Sequence, residues 1–219
     1  RGRISYPDGS SYEGDWVAGV IEGQGRASYA NGMSYEGGFK NARNHGLGTM
    51  SHPDGYVYTG AWVNGQRHGE GAATYTDGTT YRGGFAAGLR EGQGVLMTPD
   101  GFRYEGGWKA GEIDGEGVAS YANGDVYEGS FVAGKRQGAG VMRYASGRVT
   151  EGEWRDDRLE EDAGAPADAA QGALPAEPDA PVGSGELPAG AAPAGQDENG
   201  AEAAPPADKT TPADLPAEG

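Results

Sequence analysis

The stretch YEGDWVAGVIEGQG, residues 12–25, combines aromatic side chains with four glycines. From Tyr12 to Trp16 the pattern alternates with a period of two residues, which is typical of a β-strand. The residues from Gly23 onward alternate in the same way. The segment Val17-Ala18-Gly19 between the two halves is a turn signal. The stretch therefore predicts a β-hairpin.

This hairpin pattern recurs along the chain at a constant step of 23 residues. If the opening Tyr is unit position 1, a Tyr stands there in six units, and Thr150 is the next residue in register. Trp or Phe follows at position 5, and glycine recurs at positions 3, 12, 14 and 21. Self-similarity at a fixed period indicates a stacked array. We expect an all-β antiparallel meander of about 14 strands, roughly 60 Å long at about 4.8 Å per strand.

The spacing also predicts where the rings lie. If each hairpin loop centres near unit position 8, Trp16 lies between Gly23 and Gly2, and its ring covers backbone that water would otherwise reach. The same register makes Met50 a diagonal neighbour of Trp62. Trp and Phe alternate at position 5, which gives a two-unit super-period. Two explanations of that alternation remain open. In a shifted register, large and small neighbouring side chains would compensate for each other's volume; alternatively, the array arose by duplication of a two-unit ancestor.

Composition excludes several functional classes. The chain has 219 residues with 43 Gly, 13 Pro and no Cys, so neither an ordinary packed core nor a disulfide or thiolate metal site is expected. No apolar run approaches the roughly 18 residues of a membrane span. The net charge is 16 − 20 = −4 over residues 1–158 and 1 − 13 = −12 over residues 159–219. This balance argues against nucleic acid as a partner.

Side chains that could ligate a metal ion or act as acids recur at the same unit position in successive units. His45 and His68 share unit position 11 with Glu22, Glu91 and Asp114. Equivalent positions lie about 9–10 Å apart, too far for one zinc ion, which favours a solvated stripe. A Gly-x-Gly phosphate loop is also disfavoured, because no helix follows and the pattern recurs in every unit.

An acidic row occupies unit position 2, on the strand face opposite the rings. An open sheet face offers no cleft that would shift paired carboxylates towards acid/base catalysis. We therefore predict that the chain is not an enzyme and has no catalytic residue, metal, cofactor or small-molecule substrate. The row consists of Glu13, Glu36, Glu105, Glu128 and Glu151.

From about Glu160 the repeat stops, and residues 159–219 become rich in Ala, Pro, Gly, Asp and Glu without aromatics. This composition predicts a disordered acidic tail that acts as a spacer or solubilising segment, or that carries a linear binding motif. The first residue is Arg1, and the array begins within a unit at Gly2. We expect further repeats upstream, with a signal or anchor before them, and favour a cytoplasmic or membrane-peripheral location.

The unit Tyr-x-Gly-x-Trp/Phe-x-x-Gly-x-x-x-Gly-x-Gly closely resembles the MORN repeat, the membrane occupation and recognition nexus motif. Six full and two partial units cover residues 1 to about 158, with departures at Ala42, Thr150 and Asp157. The resemblance implies an extended, single-layer, twisted antiparallel sheet whose aromatic side forms a groove. It also implies a non-enzymatic scaffold, with peptide or helix binding, dimerisation or membrane association.

We therefore expect a protein-interaction platform, or a self-associating one, whose aromatic groove receives a peptide or helix. The predicted groove residues are Tyr12, Trp16, Tyr35, Phe39, Tyr58, Trp62, Tyr81, Phe85, Tyr104, Trp108, Tyr127, Phe131 and Trp154. The alternative is a peripheral membrane tether that binds phospholipid head groups through basic hairpin loops. The loop candidates are Arg43, Arg67, Arg90, Lys135 and Arg136.

Overall fold

The computed structural model describes residues 1–160 and Leu187. The array is one open antiparallel sheet of fifteen strands that pair in chain order, which confirms the predicted all-β meander. The predicted tail lies outside the described residues except at Leu187. The strands are β1 (Gly2–Ser5), β2 (Ser11–Val17), β3 (Val20–Ser28), β4 (Ser34–Lys40), β5 (Arg43–Ser51), β6 (Val57–Val63), β7 (Gln66–Thr74), β8 (Thr80–Ala86), β9 (Leu89–Met97), β10 (Arg103–Lys109), β11 (Glu112–Ser120), β12 (Val126–Val132), β13 (Lys135–Arg143), β14 (Val149–Arg155) and β15 (Arg158–Leu159).

A two-residue turn closes each hairpin. Val17 pairs with Val20, so Ala18 and Gly19 form the loop between β2 and β3. Their φ angles are 47° and 82°, and positive φ at both central residues is what a type I′ turn requires. In the second unit Ala42 replaces the glycine and adopts a φ of 60°. The short turn explains why the units repeat with so few residues outside strands.

The pairing register differs from the predicted one because each hairpin contains a β-bulge. Gly14 pairs with Gly25, whereas Trp16 pairs with Ile21. One residue of β2, Asp15, therefore lies opposite three residues of β3. Gly23, within the bulge, has a φ of 108°, a conformation that L side chains rarely adopt.

The predicted position of Trp16 between Gly23 and Gly2 is therefore wrong. On the other side of the unit, Gly2 pairs with Gly14 rather than with the ring. The predicted diagonal between Met50 and Trp62 is also wrong, because Met50 pairs directly with Tyr58. The bulge shifts the pairing of position 5 by two residues, a displacement that residue spacing alone does not reveal.

The ring that lies over glycine is the Tyr of position 1. A Cβ added to Gly71 would lie 2.6 Å from Cε2 and 2.7 Å from Cζ of Tyr58. Five other glycines at position 14 show the same close approach to the Tyr of their own unit. The prediction that glycine makes room for an aromatic ring is thus right in kind, but it named the wrong ring.

The core lies on one side of the sheet. We call this side the ring face; it carries the Tyr of position 1, the Trp or Phe of position 5 and the side chains of position 10. The opposite face carries the exposed acidic row, of which Glu36 and Glu128 form cross-strand ion pairs with arginines. Arg26 and Glu36 are cross-strand partners, and Nη2 of Arg26 lies 2.7 Å from Oε2 of Glu36. Both side chains are exposed, so such a pair adds little stability.

Candidate functional site

The rings of the ring face form one continuous ladder. Each Tyr of position 1 has edge-to-face contacts with the position 5 ring of its own unit and with that of the next unit. Tyr58, for example, lies 5.1 Å from Trp62 and 5.0 Å from Phe85, measured between ring centroids. The planes of these pairs are at 90° and 85°, an arrangement that aromatic quadrupoles favour. Adjacent hairpins are therefore held together by alternating rings.

Hydrogen bonds anchor the ladder to the backbone. The Tyr58 hydroxyl donates to the carbonyl oxygen of Ala61 at 3.0 Å, next to the bulge. The indole Nε1 of Trp62 donates to the carbonyl oxygen of Gly48 in the preceding unit at 3.1 Å. Trp108 and Trp154 make the corresponding bond. The polar atoms of these rings are therefore satisfied within the array.

Arginines of position 10 are part of the ring face. The Arg90 guanidinium carbon lies 4.2 Å from the ring centroid of Trp108, and Nη2 donates to the carbonyl oxygen of Gly111 at 2.8 Å. Arg136 stacks on Trp154 at 4.6 Å and donates to the carbonyl oxygen of Asp157. Stacking on an aromatic face and donation to a loop carbonyl link each arginine to the next hairpin.

This placement corrects the predicted set of lipid-binding loops. Arg90 and Arg136 are 1% and 5% exposed, so neither projects from a loop towards a head group. Arg67 is partly buried, with its guanidinium carbon 5.1 Å from the Phe85 centroid. Only Arg43 and Lys135 of the five predicted residues are exposed, and Lys135 has Asp156 at 3.0 Å. The membrane hypothesis loses most of its proposed contact residues.

Twelve of the thirteen predicted groove rings are 0–5% exposed, and Trp16 is partly buried. These side chains hold the array together and form the base of the ring face. The accessible aromatic surface is a second row at unit position 18, which sequence reasoning did not select. The sequence feature that could have identified this row is that unit position 18 is Tyr in most units. Members of this row that are partly buried and packed against the core are Tyr6, Tyr29, Tyr121 and Tyr144.

The described residues contain no group of three or more His, Cys, Asp or Glu side chains that could hold a metal ion. His45 is partly buried and His68 is exposed. Within the same part of the chain, no helix has the length and apolar character to cross a membrane.

Tyrosine ionisation gives a pH-dependent prediction. Burial raises the pKa of Tyr12 and Tyr127 to about 12, and it raises the pKa of Tyr35, Tyr58 and Tyr104 as well. Unfolded tyrosines lose their protons near pH 10, whereas the folded array retains them. The stabilisation is therefore complete below about pH 10 and is lost as the pH rises through about 12.

We expect the free energy of unfolding in urea to be lower at about pH 11 than at about pH 8, with tyrosinate absorbance appearing later in the folded than in the urea-unfolded protein. Identical absorbance titrations of folded and unfolded protein would contradict this expectation.

The regular unit of Tyr, Gly and Trp/Phe, folded as one hairpin per 23 residues, matches a known family model. The model of the MORN repeat matches six consecutive segments, residues 12–34, 35–55, 58–80, 81–103, 104–126 and 127–147. The chain belongs to the MORN repeat family. The matched segments of the MORN array cover the strands from β2 to β13, and the family resemblance noted from the sequence is confirmed. A comparison with curated proteins finds no significant match.

Solved structures similar to this MORN protein include two of Drosophila melanogaster Sas-4. One is the TCP domain in complex with a proline rich motif of Ana2, with 12% identity, coverage of 70% of this chain and 89% of that chain, and a TM-score of 0.34. The other is the TCP10c domain, with 14% identity, coverage of 70% and 91%, and a TM-score of 0.39. The TCP10 domain of Danio rerio CPAP has 15% identity, coverage of 69% and 94%, and a TM-score of 0.34. At these values the likeness carries no argument about what this chain binds.

Proposed function

We propose that this MORN array is a non-enzymatic scaffold whose ring face binds a peptide or helix of a protein partner. The observation that carries this proposal is the row of partly exposed aromatic side chains at position 18, which runs beside the buried ladder. Aromatic side chains that keep one accessible edge supply much of the contact energy at protein interfaces. Tyr6 and Tyr29 stand in neighbouring units near one end of the array, and Tyr121 and Tyr144 stand in neighbouring units near the other. Each pair suits a partner segment that crosses two hairpins.

Rigidity supports the same function. The base of the ring face consists of rings whose polar atoms already bond to the backbone, as Tyr58 and Trp62 do. A partner would therefore meet side chains that are ordered before it binds, which lowers the entropic cost of association. In this proposal twelve of the thirteen predicted groove residues form the base of the site, and the direct contacts come from the thirteenth, Trp16, and from the position 18 row.

The test uses two partly exposed side chains, because substitution of a fully buried ring would disturb the fold more. The double variant Tyr121→Ser and Tyr144→Ser removes two aromatic side chains of position 18. Leu47→Ser is the matched control, since Leu47 is 74% exposed and belongs to the opposite face. The tagged full chain is used for affinity purification, and recovered proteins are quantified by mass spectrometry.

A specific partner is expected to fall at least about tenfold in recovery with the double variant and to stay unchanged with Leu47→Ser. Circular dichroism checks that all three chains keep the same strand content. If every recovered protein is equally abundant with the wild type, the double variant and the control, the ring face is not the partner surface.

A further inference from the structure

Leu187 is the only described residue beyond position 160, and it is buried. Its side chain is 2% exposed and belongs to the same apolar cluster as the rings of the array. It stands in a segment that offers few apolar anchors, because residues 161–219 contain only four large apolar side chains, namely Leu174, Val182, Leu187 and Leu215. A leucine from an acidic, proline-rich segment is thus packed with the core of the repeat array.

We propose that the acidic tail is an intramolecular ligand of the array, with the Leu187 side chain docked on the ring face. This inference rests on the proposed function of that face, because the docked leucine occupies the surface assigned to the partner. The tail is then a built-in competitor, and a partner segment binds by displacing it.

The sequence around Leu187 fits this role. Leu187, Pro188 and Ala189 form a Leu-Pro-Ala triplet, and the same triplet begins at Leu174 and at Leu215. A proline restricts the residue before it to extended conformations, so less conformational entropy is lost when such a leucine docks. Three of the four large apolar residues of the tail therefore stand in the same local sequence, which provides two internal comparisons for Leu187.

Magnitudes favour docking within one chain over docking between chains. Within one chain, the burial of one leucine favours the docked over the undocked tail by roughly 10- to 100-fold, whereas separate molecules at micromolar concentration would lose that preference to the entropic cost of association. Leu187 is 187 − 160 = 27 residues from Glu160. The covalent link between Leu187 and the array removes most of the cost of association, because tethered groups meet at an effective concentration far above micromolar.

Net charge does not favour the docking of the tail on the array. Both parts of the chain are acidic, with −4 over residues 1–158 and −12 over residues 159–219, so the overall field does not attract the tail. The ring face itself carries the guanidinium groups of Arg67, Arg90 and Arg136 beside its rings. Apolar burial of Leu187 is therefore the main driving force, and salt should change the docking only weakly.

The experiment is methyl NMR of the full chain with isotope-labelled leucine, because the protein contains only seven leucines. Leu187→Ala identifies the Leu187 signals by their loss, and Leu215→Ala identifies those of the matched triplet. We expect nuclear Overhauser effects from the Leu187 methyl groups to aromatic ring protons, together with an upfield ring-current shift relative to Leu215. Both features should persist on tenfold dilution.

Two outcomes overturn the inference. One is a Leu187 methyl signal without contacts to ring protons and at the same shift as Leu215. The other is a set of contacts that disappears on dilution, which would mean that the tail docks on a second molecule.

Partner recovery separates this inference from the proposed function. If the tail competes, Leu187→Ala should raise the recovery of the partner by roughly 10- to 100-fold at limiting concentration, whereas Leu215→Ala should not. Ring contacts of Leu187 combined with partner recovery that is insensitive to Tyr121→Ser and Tyr144→Ser would refute the proposed function alone. Partner recovery that depends on those tyrosines, without ring contacts of Leu187, would refute the inference alone.

Discussion

Replacement of Gly71 by alanine is expected to lower the free energy of unfolding by about 3 kcal/mol, the upper part of the usual cost of overpacking a core. The new methyl group would lie 2.6 Å from Cε2 of Tyr58. That ring cannot move aside, because it is fully buried, its hydroxyl donates to the carbonyl oxygen of Ala61, and Trp62 and Phe85 pack against it. Urea unfolding followed by circular dichroism measures the loss.

Gly152→Ala is the matched control. Gly152 is also a strand glycine paired with another glycine, but a Cβ there would meet mainly the Cδ1 atom of Leu159 at 2.8 Å. Leu159 belongs to the two-residue terminal strand β15 and can shift, so we expect a cost below about 1 kcal/mol.

A double-mutant cycle tests the cause. Once Tyr58 is alanine, the additional change Gly71→Ala should cost little, because the ring that it would strike is gone. Equal costs of Gly71→Ala with and without the Tyr58 ring would show that steric overlap is not the reason for the glycine. Since repeat arrays can unfold in parts, hydrogen exchange of residues 56–72 should show that the loss is centred on the third unit.

Trp108→Ala is expected to lower the free energy of unfolding by about 4 kcal/mol, as for other large-to-small changes of buried tryptophan. The substitution removes edge-to-face contacts with Tyr81 and Tyr104 at 5.2 and 5.5 Å between centroids. It also removes the hydrogen bond from Nε1 to the carbonyl oxygen of Gly94 and the ring under the Arg90 guanidinium. Arg90 would remain buried beside a cavity.

Trp108→Phe is the control that the chain itself suggests, because Phe85 and Phe131 occupy the same unit position. It keeps a ring in the ladder and loses mainly volume and the bond to Gly94, so we expect a cost of about 1–2 kcal/mol. Urea unfolding of the two variants under identical conditions makes the comparison. If Trp108→Ala is no more destabilising than Trp108→Phe, the aromatic ladder does not hold the hairpins together.

The repeat and its hairpins could be predicted because they depend on local chemistry. Alternation from Tyr12 to Trp16 reflects the two-residue period of side chains on a strand, and the Ala18-Gly19 turn needs only two residues that accept positive φ. The side on which the rings lie followed from the same period. These properties repeat in every unit, so no knowledge of the neighbouring unit was needed.

The candidate site could be predicted only in part. Sequence reasoning identified the ring-bearing face, but it assigned contact to side chains such as Tyr58 and Phe131 that pack inside the array. It also grouped Arg90 with loop residues because it follows a turn closely in sequence. In the folded sheet the Arg90 side chain points to the ring face and reaches Trp108 of the next unit. Contacts between units are absent from the pattern of any single unit.

The residue pattern of the chain is enough to predict a linear array of hairpins with the aromatic rings on one side, because strand period and turn chemistry are local properties. The folded array was needed to show that Tyr58 rather than Trp62 lies over Gly71, that Arg90 is buried, and that Leu187 packs with the core. The physical reason is that a bulge of a few residues changes which side chains face each other across strands, and that the contacts of a distant tail depend on the assembled surface.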